Sequence, residues 1–222
     1  PRVNGRAAEI PAKRAGTALS VYDMDKRGKL WYNTPYYGRL CPEEESGMGK
    51  LIVFEGTDGS GKATQSALLC QELEKRGIAF RKLEFPRYQE ESSALIRLYL
   101  GGAFGSDPDD VNAYAASAFY SVDRYASYKQ DWGGFYEAGG LLIADRYTTS
   151  NAVHQTGKLP PEKRDAFLDW LFDFEYHLLG LPEPTRVLYL DMPVEATEQM
   201  MRLREEATHT KADIHEKDEA YL

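Results

Sequence analysis

The chain has 222 residues, 42% hydrophobic and 28% charged, the proportions of one soluble globular domain with a substantial core. Its net charge is −8, and 8 of the 27 basic and 6 of the 35 acidic residues fall within the first 47, which leaves 19 against 29 beyond; an acidic body of this kind excludes sequence-independent nucleic-acid binding. Two cysteines, Cys41 and Cys70, without C-x-x-C spacing, give neither a disulfide scaffold nor a zinc site, and no apolar run has transmembrane or signal-peptide character, so the expectation is a cytoplasmic protein with no membrane partner.

In chain order, residues 1–47 come first and lack sustained periodicity. The stretch "KLWYNTPYYGRLCPEEES" mixes aromatics with turn formers, which reads as an irregular N-terminal extension without an assigned role. From Met48, short apolar runs alternate with longer amphipathic ones. The pattern predicts strands at about 51–55, 79–85, 140–145 and 186–191, with helices at about 61–76, 92–101, 111–129, 148–157, 161–179 and 194–205. Such alternation makes βαβ units, hence an α/β fold with a mainly parallel sheet between two helical layers. Residues 48–222 form that second unit. The closing "KADIHEKDEAYL" reads as the opening of an unfinished helix, which suggests a C-terminal truncation.

The first strand runs into "FEGTDGSGKATQ", residues 54–65. Gly56, Gly61 and Lys62 match a phosphate-binding loop, in which small residues let backbone N–H groups turn toward phosphate oxygens and the following helix aims its positive end at them. Ala63 stands where that pattern places a hydroxyl for magnesium, and Thr64 offers one a residue later. A carboxylate at Asp58 would repel phosphate, so its natural partner is the hydroxyl of an acceptor.

Further along, "EFPRYQEE" carries Arg87 past the second strand, and "SAFYSVDRYASY" places Tyr120 and Arg124 four apart on one helical face, with Ala118, Phe119, Val122 and Ala126 available to the core. "LLIADRYTTSNAVHQTGK" delivers Asp145 and Arg146 to the carboxyl edge of the sheet, an acid for magnesium and a guanidinium for phosphate, followed by Asn151, His154 and Gln155 on a helix. Arg202, Arg204 and Lys211 lie in a polar stretch that reads as a basic flap or as a solvated helix end.

Taken together, FEGTDGSGK, FPRY, the DR of SVDRY, DRYTTSNAVHQ and LYLDMPVEA resemble the thymidylate kinase family in order and spacing, over about Gly49 to Leu222. The resemblance implies a P-loop NTPase fold, transfer of the γ-phosphoryl of ATP to dTMP with Mg2+ in dTTP biosynthesis, and a homodimer joined through helices. It places ATP on Gly56, Thr57, Asp58, Gly59, Ser60, Gly61, Lys62, Ala63 and Thr64. It places dTMP against Asp58, Phe85, Arg87, Tyr120, Arg124, Arg146, Asn151, His154 and Gln155, with Tyr120 stacked on thymine and Asp58 on the 3′-hydroxyl. Catalytic roles fall to Lys62, Arg87, Arg146, Arg202 and Arg204, and Asp145 stands on the magnesium side. Glycine rather than arginine at position 59 implies the layout in which the lid supplies the catalytic arginine. Relatives continue with the rest of a helix and a final strand, so the chain is expected to leave a sheet edge and an apolar helix face uncovered. Two other readings use the same residues: a kinase of another nucleoside monophosphate, and a nucleotide-binding module with weak or no chemistry.

Overall fold

A computed structural model describes residues 18–24, 30–32, 47–193, 195–197 and 199–201. The sheet is built around β3 (Lys50–Gly56), whose neighbours β5 (Leu141–Asp145) and β6 (Arg186–Asp191) both run parallel to it, with β4 (Phe80–Glu84) parallel to β5 at one edge. Strict alternation along these strands separates two cores. Leu51, Val53, Leu142 and Ala144 face Trp132 and Tyr147, while Ile52, Phe54, Leu141 and Ile143 face the helix α1 (Lys62–Lys75) through Leu69, Cys70 and Leu73. Helices therefore cover both faces, and the three-layer α/β arrangement follows from the two-residue period of the apolar runs.

The N-terminal stretch departs from expectation. Within residues 1–47, read as irregular, β1 (Ala18–Met24) pairs antiparallel with β6 from Ala18 opposite Asp191 to Tyr22 opposite Val187, and β2 (Leu30–Tyr32) pairs antiparallel with β1. The sheet order is β2-β1-β6-β3-β5-β4. The edge of β6 that was expected to be bare is thus paired, because the aromatic and β-branched content of "ALSVYDM" suits a strand even without clean alternation.

Two long helices break where sequence periodicity continues. α3 (Ala113–Ser127), capped by Asn112 Oδ1 accepting from Ala115 N at 3.0 Å, passes into a π-helical turn over Tyr128–Trp132 and then α4 (Gly133–Glu137). α6 (Pro161–Phe172) passes into a π-helical turn over Asp173–Leu178, closed by Leu179 N donating to Phe174 O at 2.9 Å. α2 (Ala94–Leu100) precedes α3, and α5 (Thr148–Thr156) lies between α4 and α6.

The face α3 buries matches expectation only in part, with Phe119 packed on Tyr99, Val111 and Ala116 and with Ala118 and Ala126 half-buried. Val122, expected in the core, is 49% exposed, whereas Ser117, Ser121, Asp123, Arg124 and Ser127 are buried. These polar groups are tolerated inside because most of them find hydrogen-bond partners on neighbouring elements. No described helix is long and apolar enough to cross a membrane.

Candidate active site

The loop after β3 turns through three glycines with positive φ, Gly56, Gly59 and Gly61, and hands the chain to the N-terminus of α1. Lys62 is 7% exposed, and its Nζ donates to the carbonyl oxygens of Gly56 at 2.9 Å and Thr57 at 2.8 Å. Burial, with Arg146 nearby, pulls the Lys62 ammonium down to about 8, against the opposing pull of Asp58, Glu55 and Asp145. Gly59 packs beneath Thr197 and Met201: a Cβ built there would stand 2.6 Å from the Thr197 carbonyl oxygen, at a backbone φ of +79° that disfavours any side chain.

Arg146 follows Asp145 at the end of β5 and is the only non-glycine described residue with positive φ, at 66°. Strain of this kind persists where the surroundings over-determine a conformation. Here its N–H donates to Phe54 O at 3.0 Å, Nη2 pairs closely with Asp58 Oδ1, and Nη1 reaches Ser150 Oγ at 3.3 Å, His154 Nε2 at 3.4 Å and Glu55 Oε1 at 3.7 Å. Burial opposes its charge, but Asp58 and Glu55 outweigh burial and hold the guanidinium above its ordinary range.

Glu55, which sequence reading passed over, ties the loop to α5. It is 2% exposed and accepts from Gly56 N at 3.1 Å, Thr149 Oγ1 at 2.9 Å and Ser150 Oγ at 2.8 Å. Its signal was position, a carboxylate at the last turn of a buried strand. Asp145 is also buried, yet its carboxylate accepts no hydrogen bond from another described residue. No group of three metal-ligating side chains occurs among the described residues. A single open carboxylate at the loop fits Mg2+, which keeps several waters and takes one or two carboxylates together with phosphate oxygens.

The structure therefore gathers Asp58, Lys62, Asp145 and Arg146 around the loop, with Gly56, Thr57, Gly59, Ser60 and Gly61 forming its backbone and Ala63 and Thr64 exposed on the first turn of α1. It distributes the other predicted residues differently. Phe85 packs edge-on to Tyr147 at 5.8 Å in the core. Arg87 pairs with Glu90 at 3.2 Å and lines a cleft of about 470 Å3 with Phe85, Lys82 and Ser127. Its backbone N–H donates to Asp123 at 2.9 Å, so Asp123 fixes the FPRY turn, a second contributor missed in the sequence.

Tyr120 packs with Tyr99, Val111 and Ala116. Arg124 is 2% exposed and is gripped by Glu175 rather than facing solvent; its position four residues after Tyr120 holds, but its ion-pair partner was not expected. Asn151 donates to Ser117 O at 3.3 Å across the α3–α5 seam, where Gln155 is also buried. Arg202 and Arg204, like Lys211, lie outside the described residues.

A family model described as thymidylate kinase matches residues 54–222. Thymidylate kinases from two strains of Mycobacterium tuberculosis are 30% identical to it over 170 residues, spanning 76% of this chain and 78% of theirs. A solved thymidylate kinase from Candida albicans superposes with a TM-score of 0.52 at 25% identity, over 70% of this chain and 68% of that one.

Proposed function

Because the chain belongs to the thymidylate kinase family, whose members convert dTMP to dTDP at the expense of ATP, we propose that Lys62, Asp58, Asp145 and Arg146 carry that transfer here. The observation that supports this reading is their convergence: two cations and two acids from two separate segments meet at the carboxyl edge of β3 and β5, where ligands bind in open α/β sheets.

Phosphoryl transfer needs little covalent help from a protein, and what it needs is alignment and positive charge around the moving group. In the free protein, Lys62 is held by loop carbonyls and Arg146 by Asp58. The β- and γ-phosphates of ATP replace the carbonyls as partners of Lys62. The phosphate of dTMP takes the Arg146 guanidinium, which releases Asp58 to accept the 3′-hydroxyl. Asp145 is the residue that would hold Mg2+, which would supply positive charge beside the phosphates. Arg202 and Arg204 complete the charge from the lid in this reading, with Gly59 supplying no side chain to the loop. Tyr120, Arg124, Asn151, His154 and Gln155 form the base and sugar side, and Arg87 approaches the phosphates. The exposed apolar side chains of α2 and α3, Leu95, Leu98, Val122 and Tyr125, form the contact of a homodimer.

An ATP-coupled assay with dTMP, dUMP and dCMP in competition tests the activity and its base preference. Arg146→Ala and Lys62→Ala should each lower kcat/KM for dTMP phosphorylation by about 10²- to 10³-fold, with Arg146→Ala at least as severe. Near-normal turnover in either variant would remove that residue from the site.

A further inference from the structure

A second buried acid as fully hydrogen-bonded as Glu55 lies outside the phosphate loop. Glu175 is fully buried on the π-helical turn after α6 and accepts four hydrogen bonds. Its Oε1 receives Ser121 Oγ at 2.8 Å and Arg124 Nη2, and its Oε2 receives Arg124 Nε at 2.7 Å and Thr148 Oγ1 at 2.7 Å. One carboxylate thus joins the middle of α3, the first residue of α5 and the segment after α6. A π-turn carries one extra residue per turn at a cost in hydrogen-bond geometry, and such turns concentrate at working positions.

What Glu175 does to Arg124 follows from the shape of the two groups. A guanidinium is planar and rigid, with five N–H donors in a fixed fork, so a carboxylate that takes Nε and Nη2 fixes the direction of the remaining nitrogen, Nη1. Nη1 has no hydrogen-bond partner among the described residues, while the plane of the group is held 5.8 Å over the Tyr147 ring. Ser121, on the same helix, anchors the other side of the carboxylate.

We propose that Glu175 is a positioning residue for base specificity: it clamps Arg124 so that Nη1 presents a fixed donor to the base of the nucleoside monophosphate. This rests on the reading that Arg124 and Tyr120 flank the base. A guanidinium only donates, so a rigid one favours a pyrimidine with a carbonyl at its 4-position and rejects one with an amino group there. Without the clamp the fork rotates, and the preference falls even though the arginine is still present. The same contact to Thr148 Oγ1 keeps the start of α5 in register two residues after Arg146.

Glu175→Gln is the direct test, because the amide keeps the volume but loses the charge and half of the accepting capacity. KM for dTMP should rise by roughly 10- to 100-fold, as for loss of a charged hydrogen bond, while KM for ATP stays within about twofold. The ratio of kcat/KM for dTMP over dCMP should fall by a similar factor. Glu175→Asp, which keeps the ion pair with a shorter reach, guards against a folding defect: it should melt near the wild type and lose part of the dTMP preference. An unchanged dTMP-to-dCMP ratio in Glu175→Asp, or equal losses for ATP and dTMP in Glu175→Gln, overturns the proposal while leaving the kinase reading intact. Absence of dTMP turnover in the wild-type chain overturns both.

Discussion

At Lys62 the loop meets a conflict between two requirements. The ammonium must be buried enough to meet phosphate in a dry site, and that burial lowers its affinity for the proton, to about 8 in the free protein. Below that pH the side chain is charged and attracts the polyphosphate; above it the neutral amine does not. Bound ATP, as a polyanion, favours the protonated form, so nucleotide affinity falls as pH rises through the free-protein value. KM for ATP should be flat below about pH 8 and climb toward tenfold per unit above it, the limit for a single proton. A profile that stays flat to about pH 9.5 would show that Lys62 does not titrate in the free protein.

Much of this residue-level chemistry was visible in the sequence because it resides in motifs. Glycines, a lysine and an Asp-Arg pair at the ends of apolar strands are where phosphate chemistry is placed, and Asp58, Lys62, Asp145 and Arg146 do converge. Glu55, Asp123 and Glu175 escaped because each acts by receiving hydrogen bonds from residues distant in sequence, up to 95 positions away for Glu55. The legible trace of Glu175 was a carboxylate between two aromatics, Phe174 and Tyr176, in "FDFEYH", a residue type rarely buried without a partner.

Among the elements, strands were readable to within about a residue because a parallel strand buried on both faces is a continuous apolar run with abrupt ends. Helices were readable in place and less so in character. The π-turns after α3 and α6 keep the same amphipathic period while shifting register by one residue, which no local pattern reports. On α3 the expectation fails at Val122, because beside the apolar contact of Phe119 the inner face is a polar framework that serves Glu175 and includes Asp123. β1 was missed for a related reason: its partner β6 lies more than 160 positions away.

The pairing of β1 with β6 predicts a consequence of its loss. A variant starting at Gly47 would uncover the ladder groups of β6 from Val187 to Asp191. It should melt at a lower temperature, by roughly 2–4 °C for each kcal/mol lost in a domain of this size, and should self-associate more readily. Differential scanning calorimetry with light scattering would register both; an unchanged midpoint would show that β1 adds nothing to the sheet.

At the scale of the whole molecule, the apolar side chains left exposed on α2 and α3 are the surface on which the proposed dimer depends. Leu95, Leu98, Val122 and Tyr125 are each more than a third exposed on two helices packed together, a grouping that soluble monomers avoid. If that face joins two copies, Val122→Glu places a charge in the contact and should convert a dimer to a monomer in size-exclusion chromatography with light scattering, with the fold retained. A wild-type chain that already elutes as a monomer at micromolar concentration would remove the dimer from the picture.

Gly59 also carries an evolutionary consequence. The carbonyl of Thr197 occupies the space a side chain at 59 would need, so an arginine there and a helix packed over the loop exclude one another. On the proposed layout, in which the lid supplies the catalytic arginine, moving that arginine to the loop would also need the helix over position 59 to shift, so one codon change would not suffice. The placement of one methylene's worth of volume thus holds the enzyme to one of two architectures.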